Sequence, residues 1–126
     1  MIIYQTRTFW RWAKKQNIAD QNLCRAVQEI LSGLHDGDLG SGLIKKRVAR
    51  PGQGKRGGFR TLLAINQGDR CFFIYGFSKS ERSNIDEREK EALKKLARFY
   101  LSLPKQDLKI AQDAGELVEV ICNETI

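Results

Sequence analysis

The residues predict an α+β domain: a small curved, mainly antiparallel sheet with two amino-terminal helices packed on it and a carboxy-terminal helix. Three observations lead there. Two helical stripes open the chain, three strand-like runs occupy its middle, and a long helical stripe follows them. Grouped runs of helices and strands, rather than strict alternation, are the mark of α+β architecture. A chain of 126 residues suits one domain, divided here into residues 1–104 and an extension of the same domain over residues 105–126.

Ile2-Ile3-Tyr4 is β-branched and aromatic and reads as a first strand. Thr6 or Thr8 then caps a short helix running to about Gln16, with Phe9, Trp12 and Ala13 on its buried face. Asp20 is the expected N-cap of a second helix. Its apolar series Leu23, Ala26, Val27, Ile30, Leu31 and Leu34 is the strongest helical pattern in the chain, and Leu23, Val27, Ile30 and Leu31 are expected to pack on the sheet face of Leu63 and Ile65. Gly33 and Asp36-Gly37 end it, and a glycine-rich connection follows. Leu43 to Ala49 reads as a strand with Lys45 and Arg47 on one face and Ile44 and Val48 on the other; Lys46 breaks the alternation. Gly58 to Asn66 and Cys71 to Phe77, apolar on both faces and joined by Gln67-Gly68-Asp69-Arg70, read as a central hairpin. Asn84 and Glu87 have capping-box spacing before a long helix whose stripe is Leu93, Leu96, Tyr100 and Leu103, closed by Pro104. A weak helical pattern from Gln106 to Ala114 and a short strand, Leu117 to Cys122, complete the chain.

Charge is the most informative part of the composition. The net charge is +7, and residues 43–60 hold seven cations and no acid. Residues 105–126 run the other way, with two cations and five acids. A concentrated positive field is the footprint of a polyanion partner, although many basic segments are only solvated loops. No run approaches the ~20 apolar residues of a membrane span, and the amino terminus lacks a signal-peptide pattern. Three widely spaced cysteines, Cys24, Cys71 and Cys122, fit neither a disulfide framework nor a zinc site. The expectation is a small soluble, cytoplasmic protein with no membrane partner.

The same inventory excludes most enzyme chemistry. Ser-His-acid and Cys-His nucleophile systems need a histidine, and the single one, His35, sits beside a helix end where it serves as a dipole partner. No carboxylate pair or metal-ligand cluster stands out, so neither a metal nor an organic cofactor is expected. The glycines between Gly52 and Gly58 lack the order of a phosphate-binding P-loop. A cationic constellation remains: Lys45 and Arg47 on one strand face, Arg60 opening a central strand, and Lys79 and Arg82 where the last hairpin strand gives way to helix. If those strands are neighbours, the five converge at one end of the sheet. Guanidinium groups there would bind phosphate oxygens bidentately and stabilise transition-state charge. The plainer alternative for Arg82 is an ion pair with Glu81 or a helix acid.

The passage Arg47-Val48-Ala49-Arg50-Pro51-Gly52-Gln53-Gly54-Lys55-Arg56-Gly57-Gly58-Phe59-Arg60, followed by Phe77-Ser78-Lys79-Ser80-Glu81-Arg82-Ser83-Asn84-Ile85, resembles the RelE/HigB superfamily of bacterial type II toxins. The match is best to the HigB-like branch with its long Arg-Pro-Gly-Gln-Gly loop, and it covers about residues 2–104. The resemblance implies a compact α+β fold, cleavage of messenger RNA in the ribosomal A site, and neutralisation by an antitoxin, in this branch a helix-turn-helix DNA-binding protein. It implies that Arg60 contacts the scissile phosphate, that Lys45 and Arg47 are phosphate ligands, and that Lys79 and Arg82 belong to the catalytic turn. Lys46, Arg50, Lys55 and Arg56 would grip ribosomal and messenger phosphates. The chain departs from RelE at Ser80, where RelE has arginine, and at Asp86, where RelE has its tyrosine acid/base. Two rival expectations share the fold: a gyrase-inhibiting toxin of the ParE branch, and a non-catalytic nucleic-acid-binding relative.

Overall fold

The computed structural model describes residues 1–50, 58–66 and 68–123. In chain order these form β1 (Ile2–Thr6), α1 (Arg7–Lys15), α2 (Asp20–Leu31), β2 (Gly37–Gly40), β3 (Leu43–Val48), β4 (Phe59–Ile65), β5 (Arg70–Ser78), α3 (Glu87–Ser102), α4 (Lys105–Asp113) and β6 (Leu117–Glu119). The six strands make one sheet in the order β2-β3-β4-β5-β1-β6. All neighbours are antiparallel except β1 and β5. The α+β expectation holds, and the hairpin β4–β5 lies mid-sheet, where its apolar composition places it.

Both faces of the sheet are covered. Phe9 and Ala13 of α1 and Leu23, Ala26 and Val27 of α2 pack with Ile44, Val48, Phe59, Leu63 and Phe73 on one face. Leu93 and Ala97 of α3 and Leu108 of α4 pack with Leu43, Leu62, Phe72 and Phe77 on the other. Helix α1 lies close on the sheet because Gly76 has no side chain: a Cβ there would stand 2.2 Å from the Trp12 ring. Trp12 in turn meets Phe59 edge-on at 5.4 Å.

Several local expectations are corrected. Thr6 caps α1, its hydroxyl accepting from the Phe9 N–H. Asp20 does not cap α2; Ala19 is the N-cap, and the Asp20 carboxylate accepts from the Ile121 N–H instead. The capping box of α3 is Asp86 with Glu89, two residues beyond the expected pair. Residues 37–40, expected as a connection, add the edge strand β2, whose Gly37 and Asp38 pair with Lys45 and Ile44. Leu31 is 50% exposed and Leu34 is also exposed, because α2 ends at Leu31 and its last turn runs past the core. In α3 the buried row is Leu93 and Ala97, which leaves Leu96 on the outer side.

Cys24 and Cys122 form a disulfide across 98 residues, contrary to the expectation that the three cysteines fit no disulfide framework. Sequence spacing cannot show such a bond: the strand pairing of β6 with β1 brings the carboxy-terminal segment back over α2. Cys71 is the free, fully buried thiol, and burial holds it well above the ordinary cysteine range.

Two stability outcomes follow from this packing. Leu23→Ala should cost about 2–5 kcal/mol in urea unfolding, whereas Leu31→Ala should change stability by no more than about 0.5 kcal/mol. Cys122→Ser should lower stability by about 2–5 kcal/mol, as loss of a crosslink closing so long a loop does; a reductant should lower the wild type to the same level and leave the variant unaffected.

Candidate functional site

The register of three strands assembles the cationic face. Arg47 stands directly opposite Arg60 across β3–β4, Lys45 opposite Leu62, and Arg60 opposite Phe77 across β4–β5. By the two-residue alternation of a pleated strand, Lys45, Arg47 and Arg60 share the face of Leu43, Leu62 and Phe77, the α3 side of the sheet. Directly opposed like charges on antiparallel strands are destabilising, so this pair needs negative charge nearby. Asp36 answers Arg47: its carboxylate accepts from Nε at 2.8 Å and from the Arg47 backbone N–H at 2.7 Å. Burial pushes the Asp36 carboxyl up, but those two hydrogen bonds and the charges of Arg47 and Lys46 outweigh it and hold it below the usual carboxylate range.

Arg60 has no such answer. Its Nη1 is buried without a hydrogen-bond partner, and among the described residues it makes no ion pair. A buried guanidinium nitrogen left without an acceptor costs free energy, and an oxyanion on this face would satisfy it.

The other expected cations divide. Arg82 sits at the edge of the same face, its guanidinium 5.5 Å from the Phe77 ring centroid. It donates to both carboxylate oxygens of Glu89, at 2.8 and 2.5 Å, to the Asn84 carbonyl and to the Tyr75 hydroxyl. The plainer expectation for Arg82 is therefore met, with a helix acid as partner; Glu81 instead accepts from Ser78. Lys79 follows β5 directly and is exposed. Phe59 pairs with Ser78, so Lys79 leaves the sheet beside the start of β4. Lys46 does not join them. It points to the opposite face, 3% exposed, and pairs with Glu29 of α2 at 2.9 Å; its break in the alternation is the anchor of a helix, not part of the cationic face. Arg50 also lies toward the α1 side, over Phe59 at 4.9 Å, with its Nε buried and unpartnered. Lys55 and Arg56 lie outside the described residues.

With this geometry in place, comparison with known families is decisive. A model described as the RelE toxin of the RelE/RelB toxin-antitoxin system matches residues 1–120. The chain belongs to the RelE toxin family. A search of curated proteins finds no match. As a RelE-family toxin, the protein has a cognate antitoxin as partner. No helix among the described residues is long and apolar enough to cross a membrane.

The site of this RelE-family toxin contains one residue that the sequence reading assigned only to the apolar sheet. Tyr75, paired with Leu62, shares the face of Arg60, and its hydroxyl accepts from Arg82 Nη1 at 3.3 Å. The bulge between Leu62 and Leu63 shifts the β4–β5 register at this point, and a bulge re-aims side chains in a way that simple alternation does not capture. His35 takes no part in the cationic face; its Nδ1 accepts the Gly37 N–H at 3.2 Å.

The Arg82–Glu89 pair has a measurable acid signature. The two hydrogen bonds from Arg82 lead the causes that hold Glu89 at about 2, down from an ordinary 4.5. A depressed carboxyl contributes stability above its unfolded value and loses it as pH falls through the folded one. Urea unfolding should therefore show a loss of stability between about pH 4.5 and 2 that Glu89→Gln removes from the profile.

Proposed function

We propose that this toxin is a ribosome-dependent messenger RNA endoribonuclease of the HigB-like branch, acting in the cytoplasm. The 2′-oxygen of a message nucleotide attacks its own 3′-phosphorus, the P–O5′ bond breaks, and a 2′,3′-cyclic phosphate and a 5′-hydroxyl are left. The proton of the 2′-hydroxyl goes to a base, and the departing 5′-oxygen receives one from an acid. The observation that carries this reading is Arg60 Nη1, buried and without an acceptor on a face where a second arginine stands opposite.

Arg60 is the principal stabiliser of the phosphate. Its backbone is fixed in a central strand, and its planar fork fits two non-bridging oxygens. Lys45, Arg47 and Lys79 add positive charge around it, and Arg82 fixes the Tyr75 hydroxyl. Lys45, Lys79 and Tyr75 are the candidates for the two proton transfers. Arg50, Lys55 and Arg56 hold phosphates of message and ribosome. The reading calls for no metal or organic cofactor, because guanidinium and ammonium groups supply the positive charge that a phosphoryl transition state needs. A sparse acid/base set suits an enzyme whose substrate is oriented by the ribosome, since positioning supplies much of the barrier reduction. The cognate antitoxin is expected to be a helix-turn-helix protein with an acidic segment able to cover the cations.

Cleavage of a defined message on purified ribosomes tests the assignment. At saturating toxin, Arg60→Ala should lower the cleavage rate about 10²–10³-fold with ribosome binding retained. Arg60→Lys should recover little of it, because a point charge does not replace the fork. Arg56→Ala should leave the saturated rate near that of the wild type and weaken binding, more so as salt is raised. A wild-type rate from Arg60→Ala would place the catalytic centre elsewhere, and arrest of DNA synthesis before translation in cells would favour gyrase as the target.

A further inference from the structure

The phosphate site makes no use of the one crosslink in the fold. Cys24 of α2 and Cys122, which follows β6, are joined. Against the bond lies a surface concavity of about 190 Å³, lined by Gln21, Cys24, Arg25, Gln28, Cys122 and Asn123. Its two cysteines are not equally placed. Cys24 is 4% exposed and belongs to the core cluster beneath α2, whereas Cys122 is only partly buried.

Charge marks the kind of molecule that fits. Arg25 is the one charged residue lining the concavity, and it is exposed. Among the described residues its guanidinium has no ion-pair partner. The two carboxylates of α2 are engaged elsewhere: Asp20 accepts the Ile121 N–H at 2.9 Å, and Glu29 pairs with Lys46 at 2.9 Å. Gln21, Gln28 and Asn123 add neutral amides that both donate and accept.

We propose that this concavity is a thiol-exchange site, where a small thiol bearing a carboxylate reduces the Cys24–Cys122 bond in the folded protein. The inference rests on the cytoplasmic setting proposed above. There thiols are kept reduced, and the disulfides that do occur are mostly redox-sensing or catalytic. Reduction takes two exchanges. A small thiolate attacks Cys122 Sγ, the Sγ–Sγ bond breaks with its electron pair on Cys24 Sγ, and that sulfur takes up a proton. A second small thiolate attacks the small-molecule sulfur of the mixed disulfide and releases Cys122 as a thiolate. Two small thiols are oxidised to one disulfide, the protein bond is reduced to two thiols, and the two protons end on Cys24 and Cys122.

Reduction has a defined structural reach. Strand β6 keeps its pairing with β1, and the Val120 N–H still donates to the Ile3 carbonyl. Between α2 and the end of the chain the covalent tie is replaced by hydrogen bonds to Ile121. Asp20 holds its N–H, and the freed Cys24 thiol faces its carbonyl at 3.8 Å. Because α2 also carries Glu29, the partner of Lys46, the redox state of the bond sets how firmly the helix behind β3 is held.

The test follows reduction of the purified full-length protein without denaturant, by alkylation and mass spectrometry. The probes are glutathione, an anion, and 2-mercaptoethanol, which is neutral. With glutathione the rate should rise in proportion to thiol concentration, through a mixed disulfide on Cys122. Arg25→Glu should slow glutathione about tenfold, as loss of electrostatic steering does, and leave both the 2-mercaptoethanol rate and the circular dichroism unchanged. Equal glutathione rates in wild type and Arg25→Glu would overturn the proposal. So would a rate that levels off at that of global unfolding, because thiols would then reach the bond only in the open chain. A protein left fully oxidised by glutathione at its cytoplasmic ratio and concentration would make the bond purely structural. These readouts need neither ribosome nor message, so failure of the nuclease reading leaves them standing; the cytoplasmic setting fails separately, if cell fractionation finds the protein elsewhere.

Discussion

The register between β3 and β4 is the constraint on which both the core and the cationic face depend. It sets Val48 against Phe59 and Ile44 against Leu63 on the α1–α2 side of the sheet, and in the same stroke sets Arg47 against Arg60 on the other face. A slip of one residue would turn Lys46 out from beneath α2 and drive Lys45 or Arg47 into the helix core. Hydrophobic burial on one face therefore enforces the alignment of cations on the other. The Lys46–Glu29 pair and the Thr61 hydroxyl, which donates to the Lys46 carbonyl at 2.8 Å, lock the same pairing from the buried side.

The cations concentrated in one stretch of chain are not equivalent once the chain is folded. Each but one of the three arginines on the α3-side face is matched by a carboxylate: Arg47 by Asp36 and Arg82 by Glu89. Those partners keep the face from pulling apart through its own repulsion, and they leave the mismatch at Arg60. An arginine held by a fixed strand, opposite another arginine and short of one acceptor, is poorly placed for stability alone. Its placement is explained if an anion completes it, and this is why a site can be recognised on that face.

Much of this was legible in the residues, for reasons that differ by element. The α2 stripe through Leu23, Ala26 and Val27 and the doubly apolar β4 and β5 follow from periodicity, because burial imposes the period directly. Leu31 and Leu34 obey the same period and still lie outside the core, since periodicity says which side of a helix is apolar but not where the sheet beneath it stops. The Cys24–Cys122 bond and the parallel β1–β5 pairing are long-range facts, and no local pattern encodes them. Within the site, the shared face of Lys45 and Arg47 came from alternation alone, whereas Arg60 joins it through the β3–β4 register. Tyr75 was missed because its strand is apolar on both faces and its hydroxyl matters only through Arg82, seven residues further on.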